Sequence, residues 1–222
     1  MPAGAQGLRR LVAGNRRFAA RERLRSGSGR STLAEMVAGQ QPFATILGCS
    51  DSRVPPELLF DQGFGDLFII RVAGNVVSAE VLGSVQYAGA HLRTPLFVVL
   101  GHEGCGAVGA ALAAKFYGAT TTRKRIRALL RSIVPGLGGV DPALPSDEQL
   151  RVAVEANVRW SMRQLEETPE ARRALAERRA MLVGAIYELR TGRVRFLDAG
   201  RDGFETKERA GSGGSGASRR RR

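Results

Sequence analysis

Two stretches decide the fold: Ala44-Thr45-Ile46-Leu47-Gly48-Cys49 and Val98-Val99-Leu100-Gly101-His102. Each is a short apolar run, stopped by a glycine and followed at once by a side chain that can do chemistry. Phe43 to Leu47 is bounded by Pro42 and Gly48, and Leu96 to Leu100 by Pro95 and Gly101. Continuous apolar runs of this length fit strands buried on both faces. Leu67 to Val72 is a third run of the same kind. Between it and Leu96 lies a helical pattern, Ala79 to Leu92, with Val81, Leu82, Val85 and Ala88 at helical spacing. Gly106 to Phe116 reads as a helix of small residues. Strands alternating with helices predict an α/β fold, a single domain with a mainly parallel central sheet flanked by helices. In such sheets ligands collect beyond the carboxyl ends of the strands, and both cysteines fall there.

Working outward, Leu8 to Arg25 reads as an amphipathic helix with Leu8, Leu11, Val12 and Phe18 on one side. Residues 26–30 break it and 32–38 resume helical character, giving an N-terminal helical arm over residues 1–38. The α/β domain proper then spans 39–204. Within it, Arg123 to Val134 predicts a helix and Pro135 to Pro145 a loop. Ser146 with Gln149 has capping-box spacing, so a helix is expected from there to about Glu167. Met181 to Leu189 and Arg193 to Leu197 flank Thr191-Gly192 and predict two strands joined by a short turn. Residues 205–222 form a basic tail whose Gly, Ser and Arg composition cannot bury a core and predicts disorder.

Composition narrows the classes. A 222-residue chain with 43% hydrophobic and 25% charged residues has the make-up of a soluble globular domain. No run of about 18 uncharged apolar residues exists, so no membrane span is expected. The basic start, Met1 to Arg10, is followed by no apolar stretch or cleavage site, which makes the cytoplasm the default location. The net charge of +13 invites anionic partners, but it is scattered along the chain and partly concentrated in Arg219 to Arg222. Without a zinc-finger, RRM or KH signature, it argues for a field that attracts anions and against specific nucleic-acid binding.

The two cysteines, Cys49 and Cys105, carry the chemistry. A disulfide is disfavoured in a reducing compartment. His102, three residues before Cys105, is one of two histidines in the chain, and it sits at the strand end equivalent to that of Cys49. If the two strands are neighbours, the three side chains can converge at metal-ligand distances of about 2.0–2.3 Å. Thiolate and imidazole suit zinc, and three protein ligands leave one position open for water. The competing reading of Cys49 as a phosphatase nucleophile fails, because Arg53 follows too soon after it. A lone cysteine behind a strand would otherwise be a small buried hydrophobe.

Cys49-Ser50-Asp51-Ser52-Arg53-Val54-Pro55, with Gly101-His102-Glu103-Gly104-Cys105-Gly106 some fifty residues on, resembles the paired signature of beta-class carbonic anhydrases. The similarity runs from Gly14-Asn15-Arg16-Arg17-Phe18 through Arg71-Val72-Ala73-Gly74-Asn75 to Tyr187, and omits the loop around 135–145 and the tail. The resemblance implies zinc held by Cys49, His102 and Cys105, with Asp51 and Arg53 as a carboxylate–guanidinium dyad that orients zinc-bound hydroxide toward CO₂. The alternative for the dyad is a local ion pair that stabilises the loop. Gln40 matches a substrate-side amide, and Phe68, Ala73 and Tyr87 match pocket positions, some of which reach across a subunit interface in the family. The position of Ala73 is larger in some relatives, and Phe68 and Tyr87 equally fit plain core roles on a strand and a helix. A homodimer or higher homo-oligomer is implied, with the N-terminal helix exchanged across a two-fold axis.

The activity implied is reversible hydration of CO₂ to bicarbonate and a proton. Zinc lowers the pKa of bound water to about 7 in carbonic anhydrases with three histidine ligands. Two thiolates donate more charge and should leave the water less acidic. Some family members carry an inhibitory bicarbonate site that includes a Trp three residues before the first cysteine. Ile46 stands there in this chain, although Arg71 and Tyr187 occupy the other two positions, so an open zinc–water site is expected. Trp160 lies far off in a late helix, and His91 reads as a capping or surface residue. Two other readings stay open on the ligands alone: hydrolysis of CS₂ or COS on the same fold, and a non-catalytic zinc- or anion-binding protein.

Overall fold

A computed structural model describes residues 2–22 and 37–197. The expected break at 26–30, most of the 32–38 helix and the tail from 205 lie outside these residues. The strands are β1 (Ala44–Gly48), β2 (Leu67–Arg71), β3 (Leu96–His102), β4 (Met181–Tyr187) and β5 (Val194–Phe196). They form one sheet in the order β2-β1-β3-β4-β5. The first four are parallel and β5 pairs antiparallel with β4. The α-helices are α1 (Ala3–Ala19), α2 (Pro56–Leu59), α3 (Ala79–Ala90), α4 (Gly106–Phe116), α5 (Lys124–Ile133), α6 (Ser146–Glu166) and α7 (Pro169–Ala176).

Side chains alternate between the faces of a strand, and the core divides accordingly. Ile46, Val98, Leu100, Val183 and Ala185 share one cluster with Leu8 and Leu11 of α1 and Phe60 beyond α2. Leu47, Val99 and Ile186, one residue out of phase, pack on the opposite face with Val108, Ala111, Ile133, Val154 and Val158. Burial on both faces is why β1 and β3 read as unbroken apolar runs. The sheet lets α6 approach closely because Gly101 faces it. A Cβ at Gly101 would sit 2.6 Å from Val158 Cγ2.

The N-terminal helix packs on its own chain. Leu8 and Leu11 are buried, each worth about 1.5–3 kcal/mol of transfer free energy. Asn15 fastens the helix further: its Nδ2 donates to the Leu59 and Gly192 carbonyls, and its Oδ1 accepts from Val194 N–H. The helix begins at Ala3, earlier than the apolar pattern suggests, and ends at Ala19, where Arg21 turns to φ 60°.

Two local expectations need correction. Pro145, not Ser146, caps α6, and no side chain closes a capping box. Gln149 is turned inward instead, where its Oε1 accepts from Tyr117 Oη–H and its Nε2 donates to the Asp141 carbonyl. Helix α7 was not expected, although Thr168 accepts the Ala171 N–H and Pro169 opens the first turn. No helix among the described residues is long and apolar enough to cross a membrane.

Candidate metal centre

The strand order changes direction at β1, which has β2 on one side and β3 on the other. A crevice at such a switch point, outside the carboxyl ends of the strands, is where α/β sheets bind ligands. Cys49 follows β1 directly, His102 is the last residue of β3, and Cys105 caps α4. Their ligand atoms all lie within 4.8 Å of one another, and all three residues are buried. A metal with bonds of about 2.0–2.3 Å needs donors roughly 3.5–4 Å apart, so a small contraction closes the site.

His102 has the tautomer a metal requires. Its Nδ1 lies 2.9 Å from the Glu103 carbonyl, which can only accept, so the proton is on Nδ1. Nε2 then presents a lone pair, and it has no hydrogen-bond partner among the described residues although the side chain is fully buried. An orphaned imidazole nitrogen beside two thiols is what a metal ligand looks like before the metal is added.

The sulfurs are prepared for the same role. A hydrogen bond from the Cys105 thiol holds the Cys49 thiol well below its usual range; burial opposes this, and the backbone N–H groups of Gly74 and Asp51 assist it. The same contact, with burial, pushes Cys105 up. One proton is thus shared between two sulfurs, and a cation arriving there would displace it. The N–H groups of Ala107 and Val108, at the start of α4, favour negative charge on Cys105.

Asp51 and Arg53 meet beside this cluster. Arg53 Nε and Nη2 donate to Asp51 Oδ1 and Oδ2 at 2.9 and 2.7 Å, and Arg53 N–H adds a third bond at 3.0 Å. This fork holds the Asp51 carboxyl well below the usual carboxylate range. Asp51 Oδ2 lies 3.8 Å from His102 Nε2, so the carboxylate faces the ligand cluster. Arg71 braces the loop from β2, donating to the Cys49 and Asp51 carbonyls.

The carbonic anhydrase family model matches residues 44–194, from the start of β1 into β5. The chain belongs to that family. It is similar to carbonic anhydrase 2 of Mycobacterium tuberculosis, 40% identical over 190 residues that cover 85% of this chain and 90% of the relative. Among solved structures it resembles a beta-carbonic anhydrase of Aspergillus fumigatus, at 28% identity and TM-score 0.68, covering 75% of this chain and 80% of that one. The Coccomyxa beta-carbonic anhydrase, solved with acetazolamide, is similar at 26% identity and TM-score 0.67, over 74% and 76% of the two chains. The chain is therefore a beta-class carbonic anhydrase, and hydration of CO₂ is its activity.

Within one chain of this carbonic anhydrase, the expected substrate-side residues do not join the ligand cluster. Phe68 pairs with Thr45, three rungs or about 10 Å back from the Gly48–Arg71 rung at the strand ends. Its ring lies 6.2 Å from that of Tyr87 on α3, and Tyr87 in turn lies 5.0 Å from His91. Tyr87 is 48% exposed. Gln40 is exposed ahead of β1, and no hydrogen bond among the described residues ties it to the cluster. Tyr187, by contrast, is buried against Phe18.

The sequence reading missed Asn157 and Ser161 of α6, which hold the turn at Ala73–Asn75 behind Cys49. A signal was available: both polar residues fall in the buried phase of a helix shared with Val154, Val158 and Leu165.

Proposed function

We propose that Cys49, His102 and Cys105 bind one zinc ion per chain, and that Asp51, held by Arg53, directs the hydration of CO₂ at that centre. The metal's identity rests on donor chemistry. Two thiolates and an imidazole favour zinc, and three protein donors leave a fourth position for the reaction. The observation that carries the reading is the convergence of both sulfurs with the unpartnered His102 Nε2.

Bound there, zinc would supply a water acidic enough to act as a hydroxide nucleophile near neutral pH. The chain's own residues do the positioning. Ionised Asp51 is an acceptor only, so it would accept a hydrogen bond from the nucleophile's O–H and leave the oxygen lone pair free for CO₂. Arg53 keeps that carboxylate charged and turned toward itself, and Arg71 fixes the backbone that carries both Cys49 and Asp51. The intact Asp51–Arg53 pair favours an enzyme over a non-catalytic zinc protein.

Gln40, Phe68 and Tyr87 fit the substrate side of a neighbouring copy's site. Edge strand β2 is only half-buried along Leu67–Ile70, and Tyr87 and Phe64 are exposed beside it, so a second copy covering this flank would bury apolar surface. Two thiols kept reduced for a metal suit the cytoplasm.

Elemental analysis tests the centre. Protein purified without chelator should carry about one zinc per chain, as catalytic three-ligand sites do. Cys49→Ser, His102→Ala and Cys105→Ser should each lose it. A folded, metal-free parent protein would sink the proposal.

A further inference from the structure

Cys49 Sγ accepts a hydrogen bond from the backbone N–H of Gly74 at 3.3 Å. The turn that offers this N–H is unfavourable by itself. Gly74 has φ 69° and Asn75 has φ 44°, two consecutive left-handed residues, and for Asn75 that conformation costs about 1–3 kcal/mol. A Cβ at Gly74 would also lie 2.8 Å from Ile133 Cδ1 and 3.1 Å from Ala107 Cβ. Something outside the turn must therefore hold it.

Helix α6 does so from across the core. Asn157 Nδ2 donates to the Gly74 carbonyl at 2.8 Å. One turn later, Ser161 Oγ–H donates to the Asn75 carbonyl at 3.0 Å, and Asn75 Nδ2 lies 3.4 Å from the same Oγ. Asn157 and Ser161 are each 1% exposed. Asn157 is a poor choice for stability alone, because its Oδ1 has no protein partner among the described residues. An unpaired buried acceptor costs about 1–3 kcal/mol, which offsets what the amide gains at Gly74. Its benefit has to be found in what the turn does.

We infer that Asn157, seconded by Ser161, is a positioning residue for the Cys49 thiolate: it fixes the Gly74 N–H against Sγ and so tunes the sulfur as a metal ligand. The chain of contact is continuous, from Asn157 to the Gly74 carbonyl, through the turn, to the Gly74 N–H and Cys49 Sγ. An N–H donor on a thiolate withdraws electron density from the sulfur. It also fixes the direction from which the sulfur can reach a metal. The inference rests on Cys49 being a zinc ligand, as proposed above.

The test compares the whole parent protein with Asn157→Leu, Ser161→Ala and Leu165→Ala. Leu165 is buried in the same helix one turn further on, and its side chain has no polar group to offer Gly74 or Asn75, so it reports on core damage. Each protein is loaded with cobalt(II) for its sulfur-to-metal charge-transfer spectrum, and with zinc for titration against a chromophoric chelator. Asn157→Leu should move the charge-transfer band to lower energy and weaken zinc binding about 10- to 100-fold, the usual range for losing an outer-shell partner. Its melting temperature should change little, because the leucine removes an orphaned acceptor while leaving the Gly74 carbonyl unpaired. Ser161→Ala should give a smaller shift in the same direction. Leu165→Ala should melt lower with the parental spectrum. An Asn157→Leu protein with the parental spectrum and zinc affinity overturns this inference alone. A parent that takes up neither metal overturns the zinc centre as well.

Discussion

Asp51→Asn separates charge from shape at the centre of the mechanism. The two side chains are isosteric, so the amide oxygen can keep the Oδ1 position and its bonds from Arg53 N–H and Nε. The amide nitrogen then replaces Oδ2 and faces Arg53 Nη2, donor against donor, at the site of a 2.7 Å bond. The effect on stability is small, because the Arg53 side chain is 56% exposed and solvent screens the pair. The melting temperature should stay within about 3 °C, the size of shift that a weak surface interaction produces in a chain of this length. Catalysis should suffer far more. Losing one positioned catalytic group lowers kcat/KM about 10- to 1000-fold, or roughly 1.4–4 kcal/mol of transition-state stabilisation. Since Arg53 holds the parental carboxyl well below the usual range, Asp51 stays ionised throughout pH 6–9, and the deficit should be constant across that window. Stopped-flow CO₂ hydration with a pH indicator, alongside zinc content, measures both quantities. Parental kcat/KM across pH 6–9 with zinc intact would show that the dyad braces the loop and takes no part in the reaction.

Glu155→Gln should cost about 0.5–1 kcal/mol at pH 7, in urea or thermal melts, by loosening the bridge from α6 to β5. Burial pushes Glu155 up, but hydrogen bonds from Arg195 and Arg159 outweigh it and leave the carboxyl lowered. A lowered folded value stabilises above the ordinary carboxylate pKa and is lost as pH falls through the folded one, so variant and parent should converge in acid. A deficit that persists there would contradict the ion-pair origin. Sedimentation at micromolar concentration should give a dimer or larger assembly, and Tyr87→Glu should weaken it; a parent that sediments only as a monomer overturns the shared-site reading of Gln40, Phe68 and Tyr87.

The strand–glycine–ligand pattern at Cys49 and His102 made the site legible, because strands buried on both faces leave a continuous apolar signal and their carboxyl ends are where α/β folds bind ligands. Cys105 followed from its distance to His102. Gln149 misled because capping-box spacing takes no account of whether the side chain is drawn inward, here by Tyr117 and Asp141. Thr168-Pro169 carried a readable helix start that the apolar pattern of so short a helix did not reinforce. Asn157 and Ser161 were hidden for a different reason. Their partners are backbone groups more than eighty residues away, and spacing along one helix cannot name them. Phe68 and Tyr87 meet each other on the flank of β2 and α3, away from the ligand cluster, a pairing across elements that spacing within either segment does not reveal.

The most direct test of a zinc-dependent reaction is to remove the metal and return it. CO₂ hydration is followed by stopped flow on the purified protein, after exhaustive chelation verified by elemental analysis, and again after adding zinc. Zinc dependence means activity near the uncatalysed rate in the stripped protein and full recovery at about one zinc per chain, the stoichiometry of a three-ligand catalytic site. Parental CO₂ hydration by protein verified to be metal-free would contradict it.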